Sequence, residues 1–412
     1  MGKPSHQFSK RTAWDLGESR FSAAIASARE AGRELLDLTV SNPTRCGFDY
    51  DVATVICPLN STTREKDALV YDPDPRGLRS AREAVVRYYA DHNAHVDVNS
   101  LLLTTSTSEA YSFLFRLLCD AGDEVLVAQP SYPLFEFLAD LDDVRLKPYP
   151  LFYDYGWWID FAELERSIGP RTRAILVVHP NNPTGHWTHQ AERERLELLC
   201  ERHGLALIVD EVFLDYPITT SLPPRTFAGG PHRALTFVLS GISKIAALPQ
   251  MKVAWIATCG PVSAVNHALS RLEVIADTFL SMNALSQLAL PTWLAGRRHL
   301  QRQIQNRVES NLEALRIAGV DLLHLEAGWS AVLRLREYGR NSAASEPPIA
   351  ERILEQSGVI VHPGEFYGLS DSRMVVVSLI TAPEVFRLGV ERMLQYRANE
   401  PSKSPDKPIG KS

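Results

Sequence analysis

From residue 101 onward, short apolar runs alternate with longer stretches in which apolar positions recur every three or four residues. The short runs are Leu101–Thr105, Glu124–Ala128, Ala174–Val178, Leu205–Val209, Leu235–Leu239 and Val253–Ala257. Several are apolar at consecutive positions, as in strands covered on both faces. Ser108–Cys119 and Ala191–His203 carry the helical spacing, and Gly204 after the second is a stop signal. Alternation of this kind predicts an open α/β sheet with helices on both sides.

From about Ala264 the pattern changes. Gln301–Ala318, Pro348–Ser357 and Pro383–Arg397 read as helices, with strands at Trp329–Leu335 and Met374–Leu379, so a smaller α+β domain is expected. The predicted organisation is an N-terminal arm and part of the small domain over 1–55, a large domain over 56–295, the C-terminal small domain over 296–398 and a disordered tail over 399–412. Residues 340–347 (RNSAASEP) read as a surface loop, and no internal repeat is found.

Composition narrows the class. The 412 residues are 45% hydrophobic and 22% charged, enough for a sizeable core. A net charge of -6 gives no field that would draw nucleic acid or an anionic membrane. The five cysteines (Cys46, Cys57, Cys119, Cys200, Cys259) form no C-x-x-C pair and no metal-ligand spacing, so reduced, mostly buried thiols are expected and no metal. The first twenty residues lack a signal-peptide apolar core, and no apolar run is long enough for a bilayer. A cytoplasmic location is the expectation.

The candidate chemistry sits where predicted strands end. Ser240-Gly-Ile-Ser-Lys244 follows LTFVL; a lysine there condenses with an aldehyde once desolvation lowers its pKa. Ser243 and Lys252 supply a hydroxyl and a cation suited to a phosphate. Asp210, after LALIV, suits a protonated pyridine nitrogen. His179-Pro-Asn-Asn-Pro-Thr-Gly185 places two amides after AILVV, in what is otherwise an ordinary turn. Ser106, Thr107 and Ser108, at the entry to a helix, form a phosphate cradle as readily as a simple cap. Tyr132, in Pro130-Ser-Tyr-Pro133, offers a ring face for stacking. Each feature alone is commonplace. Five at successive strand ends are not.

In these motifs and their order, from about Asp37 to Arg397, the chain resembles fold-type I pyridoxal 5′-phosphate (PLP) enzymes of the aspartate aminotransferase family, class I/II. The resemblance implies a mostly parallel seven-stranded sheet with helices on both faces, plus the smaller domain. It implies that Lys244 is the Schiff-base lysine and proton carrier, Asp210 the pyridinium partner, Asn182 the donor to the ring oxygen O3′ and Tyr132 the stacking ring. Ser106, Thr107, Ser108, Ser243 and Lys252 match phosphate positions. Tyr71 matches a tyrosine that reaches the neighbouring subunit's phosphate, implying a homodimer with sites at its interface. Ser41 and Asn42 match the segment closing over substrate. The implied activity is transfer of an amino group between an amine and a 2-oxo acid.

Three positions depart from the family. Lys252 stands where arginine is usual, losing the bidentate fork but keeping the charge. Phe213 replaces a tyrosine, removing one donor to O3′, so the cofactor absorbance is expected to titrate above the family norm; Tyr216 is a candidate substitute. Val376 stands where an arginine clamps the α-carboxylate, with Arg334, Arg336, Arg373 and Arg45 as candidate replacements. The gap leaves open a β-eliminating lyase or decarboxylase on the same scaffold. A non-catalytic PLP-binding sensor is the reading from a different class.

Overall fold

The structure, a computed structural model, describes residues 8–60, 68–218, 225–280, 282–335 and 347–399. Nearly all of the expected 340–347 loop and of the tail lies outside these, as does Arg336. Strands β1 (Leu36–Asp37), β2 (Leu101–Thr104), β3 (Glu124–Gln129), β4 (Arg145–Tyr153), β5 (Trp157–Ile159), β6 (Thr172–Val178), β7 (Ala206–Asp210), β8 (Thr236–Gly241) and β9 (Ala254–Cys259) are followed by β10 (Ser330–Arg334), β11 (Val359–Ile360), β12 (His362–Pro363) and β13 (Met374–Ser378). The main sheet runs β2-β9-β8-β7-β6-β3-β4-β5, eight strands rather than the seven expected. Six of these were read from the pattern; β4, whose charged residues and two prolines break up its apolar positions, and β5, three residues long and antiparallel to the end of β4, were not.

Alternate residues of the central strands enter opposite layers. Leu207 and Val209 of β7 join a core with Tyr89, Trp255 and Trp293, which lie on or against helices α1 (Arg79–Ala90) and α2 (Ala284–Gly296). Ala206 and Ile208 face Leu114 of α3 (Thr107–Leu118) and Leu272 of α4 (Val262–Thr278). Both faces are therefore dry, which accounts for the continuous apolar runs. The Trp255 indole, at the centre, donates to the Tyr89 hydroxyl at 3.0 Å.

A second core gathers β13, β10 and β1 with helices Arg298–Ile317, Ile349–Ser357 and Pro383–Asn399, together with Phe213 and Tyr216 from the turn after β7. This core is where the sheet's functional edge meets the later strands. The five thiols are free, with Cys46 and Cys200 buried and Cys57 exposed. No described helix is long and apolar enough to cross a membrane.

The join between the two cores is tight at Gly185. Its φ is +67°, and an added Cβ would lie 1.9 Å from Leu325 Cδ1 and 2.5 Å from the Ala327 carbonyl oxygen. Both strain and overlap follow from a side chain there. Gly185→Ala is expected to cost about 2–4 kcal/mol, read as a lower urea midpoint with unchanged slope; wild-type stability in that variant would contradict the packing described.

Candidate active site

Strand direction explains why distant motifs meet. β6, β7 and β8 are parallel neighbours, with Val178 opposite Asp210 and Asp210 opposite Leu239. Asn182, Asp210 and Lys244 therefore lie at or just past the carboxyl ends of three adjacent strands, each about 4.8 Å from the next. β3, bearing Tyr132 beyond its end, is parallel to β6. β9 is antiparallel to both β8 and β2, so the Ser106 turn and Lys252 open on this same edge.

Lys244 lies in a one-turn helix, Ile242–Ile245, starting directly from β8. Its Nζ is 4.9 Å from the ring centre of Trp329 and 5.6 Å from that of Phe213. The two rings meet edge to face at 5.1 Å and form an apolar wall. Desolvation against this wall brings the amine down to about 8, while the charge of Asp210 acts in the opposite direction. At pH 7 that leaves about 300 times more neutral amine than the ordinary lysine value of 10.5 would. The Tyr216 hydroxyl donates to the Lys244 carbonyl at 2.6 Å, fixing the backbone beneath the amine. With its proton committed there, Tyr216 is not a donor toward a ring oxygen.

Asp210 is buried and accepts from the Tyr111 hydroxyl at 2.7 Å and from the Val212 amide at 3.0 Å. Burial pushes its carboxyl above the usual range, against these hydrogen bonds and the charge of Lys244. A second cation beside it would complete its neutralisation. Asn182 accepts at Oδ1 from the Ser330 hydroxyl, 3.2 Å away, and no described residue takes its Nδ2 hydrogens. Ser106 caps α3 by accepting from the Glu109 amide at 3.1 Å, which leaves the first helical N–H groups, at Thr107 and Ser108, pointing out of the helix.

A sequence profile described as aminotransferase class I and II matches residues 39–390. The chain belongs to the aminotransferase class I and II family. Among its relatives, glutamate–pyruvate aminotransferase AlaA of Escherichia coli is 26% identical over 65% of each chain, so the match spans just under two thirds of that protein's length. Arginine–pyruvate transaminase AruH of Pseudomonas aeruginosa is 26% identical over 92% of this chain and 93% of its own. Alanine aminotransferase from Pyrococcus furiosus shares the fold, with a TM-score of 0.83 at 18% identity over 96% of this chain and 100% of that one.

Seen as a member of this family, the chain places its remaining candidates unevenly. Lys252 is exposed, in left-handed backbone with φ 55°. Tyr132 is 44% and Tyr71 78% exposed. Ser41 and Asn42 are exposed, and Asn42 caps a short turn by accepting from the Thr44 amide. Val376 is buried on β13, opposite Val332 and His362. Arg373 makes a bidentate pair with Asp371 at 2.7 and 2.8 Å, and Arg334 lies 3.9 Å from the same carboxylate. Arg373 is thus held by Asp371, whereas Arg334 lies near that carboxylate without a hydrogen bond from Nε and rests over the Tyr153 ring, 5.7 Å from its centre. Arg45 is exposed.

Sequence reasoning missed two residues. Tyr111 sits one helical turn past the Ser106 cap, so the spacing was available, but nothing in the pattern marked it as the partner of Asp210. Trp329 read only as the start of a strand; its place over Lys244 depends on a contact between segments 85 residues apart. Two substitutions test the balance at Lys244. Trp329→Ala admits water and should raise the lysine pKa from about 8 toward the ordinary 10.5. Asp210→Asn removes the charge favouring the ammonium and should lower it. The pH dependence of Lys244 acylation in the cofactor-free protein, followed by peptide mass spectrometry, checks both signs.

Proposed function

We propose that this chain is a PLP-dependent aminotransferase, moving an amino group between an amino compound and a 2-oxo acid, and that it works as a homodimer in the cytoplasm. The observation that carries this reading is the depressed Lys244 amine, facing an aromatic wall and coupled to a buried carboxylate at the meeting point of the strand ends.

The residues present fit the cofactor by the chemistry of their donors. Lys244 is the amine for the aldehyde, Asp210 an anion for the ring nitrogen, and Asn182 Nδ2 a donor for O3′. Thr107 and Ser108 N–H groups, Ser243 and Lys252 suit a phosphate. Tyr132 is the ring to stack on the heterocycle. When bound, the cofactor supplies an electron-withdrawing ring that takes up the charge left when a proton leaves the donor's α-carbon.

Each residue then has a defined task. Lys244 Nζ, neutral in a useful fraction of molecules, would be the group that takes up and gives back that proton once the cofactor is bound. Asp210, with Tyr111 and the Val212 amide holding its oxygens, keeps the ring nitrogen positive without itself taking the proton. Trp329 and Phe213 exclude water from the proton's path. Tyr216 anchors the lysine backbone, so only the side chain moves.

The shared word pyruvate in the names of two relatives supports a short 2-oxo acid as acceptor. The run of Leu69, Val70 and Tyr71, each more than 60% exposed, is a surface suited to a second copy of the chain. The apolar Val376 keeps elimination or decarboxylation as a second reading; release of ammonia, or of carbon dioxide, in place of the aminated cofactor would favour it.

Lys244→Ala should abolish turnover, the yellow colour of the PLP-loaded protein and borohydride fixation of the cofactor; turnover with the colour retained would reject the assignment. Phe213→Tyr adds a donor near O3′ and should lower the pH midpoint of the cofactor absorbance, an unchanged or raised midpoint arguing that this ring does not face O3′.

A further inference from the structure

Beyond Asn182 the same loop carries a buried charge cluster that the proposed chemistry leaves unused. His186 is 3% exposed, with Nε2 3.0 Å from Glu192 Oε2 and Nδ1 3.4 Å from Glu326 Oε2. Neither ring nitrogen meets hydrogen-bond geometry with these carboxylates, so the contacts act through charge when the ring is protonated. Glu192 opens the helix Gln190–His203 and also accepts from the amides of Ile159 and His189. Glu326 belongs to the segment leading into β10; it also accepts from the Trp187 amide at 3.2 Å and faces His189 Nε2 at 3.1 Å.

Position gives the cluster its meaning. Ala327 N–H donates to the Gly185 carbonyl, Ile218 N–H to the Glu326 carbonyl and Gly328 N–H to the Tyr216 carbonyl. Segment 325–330 is thereby threaded between the Asn182 loop and the turn after β7. It emerges with Trp329 over Lys244 and Ser330 on Asn182. We propose that His186 is a positioning residue, a buried ring clasped between Glu192 and Glu326 that sets where Asn182 and Trp329 stand around Lys244. This rests on the reading of Lys244 as the cofactor lysine.

The group of His186, His189 and Glu326 also has the composition of a metal site, its ligand atoms lying within 4.8 Å of one another. The protons argue otherwise. The Trp187 indole N–H donates to His189 Nδ1 at 3.1 Å, which leaves the proton of that neutral imidazole on Nε2, the nitrogen facing Glu326. To take a metal, His189 would have to give up this proton and its contact with Glu326, and a proton shifted to Nδ1 would end the Trp187 bond.

The charges that face His186 are Glu192 and Glu326, with His189 and His179 close by and Arg193 on the adjacent helix. His179, pushed down to about 3 by burial, stays neutral, and Arg193 is paired with Glu197. Burial works against the imidazolium, but the two carboxylates outweigh it, and His186 titrates above the ordinary histidine range. Glu192 is lowered despite burial, chiefly by His186, and Glu326 is lowered despite burial to about 2 by His186 and His189 together. His186 therefore stabilises the fold fully below the ordinary histidine value, and this is lost as pH rises through its raised value. The carboxylates contribute above their ordinary range and lose this as pH falls through their lowered values.

The experiment compares His186→Gln, Glu326→Gln and the double variant, each loaded with PLP. If His186 positions the site, either single variant should move the pH midpoint of the cofactor absorbance and lower kcat about 10-fold or more with little change in KM. The double variant should fare no worse than His186→Gln alone, because that single variant leaves two buried carboxylates facing each other. In the cofactor-free protein, the thermal-midpoint gap between wild type and His186→Gln should shrink as pH rises. Lowered thermal midpoints with kcat and the absorbance midpoint unchanged would overturn the proposal and leave a purely structural cluster. A wild-type activity that responds to zinc or to a chelator would overturn it in favour of a metal. Wild type that never takes up the cofactor would instead sink the functional reading, a distinguishable result.

Discussion

The site depends on one opposition, between an amine that would rather be hydrated and the aromatic wall that denies it water. Trp329 and Phe213 alone would drive Lys244 lower still and weaken its hold on a proton. Asp210 alone would keep it permanently charged and unable to attack a carbonyl. Together they hold the amine at about 8, where both states are populated. The sheet makes this balance possible, because only parallel neighbours put the ends of β6, β7 and β8 side by side.

The two sides of the opposition come from different parts of the chain. Asp210 and Lys244 are delivered by neighbouring strands of one sheet, so their relation follows from the ladder. Trp329 arrives from the second core, through a segment pinned by backbone hydrogen bonds to the Gly185 and Tyr216 carbonyls. The close approach at Gly185 explains why a residue without a side chain ends the Asn182 turn. It also explains why His186, next along, is pressed against Glu326.

Much of this was legible beforehand, for a physical reason. A parallel strand dry on both faces is a run of apolar residues, and a ligand site at its carboxyl end is a break into polar ones. LALIV followed by Asp210, and LTFVL followed by the lysine turn, announce both at once. β5 was not legible, since three residues carry no period. Trp329 was not either, because an aromatic residue opening a strand looks the same whether it fills a core or walls a reactive amine. The His186 cluster escaped for a related cause: its members are spaced irregularly over positions 186 to 326, and only folding turns them into neighbours. The arginines near β13 show the limit of charge counting, as Arg334 and Arg373 converge on a single carboxylate.

The hydroxyl of Ser330 on the side-chain oxygen of Asn182 ties two equilibria into one. That bond occupies the amide oxygen and leaves the NH2 without a described partner, and it exists only while β10 lies against the loop. If Asn182 holds a ring oxygen of the cofactor as proposed, a ligand that draws the two cores together must also tighten cofactor binding, and by the same factor the bound cofactor must favour the drawn-together form. On that reading the protein without substrate is the form that holds its cofactor least tightly.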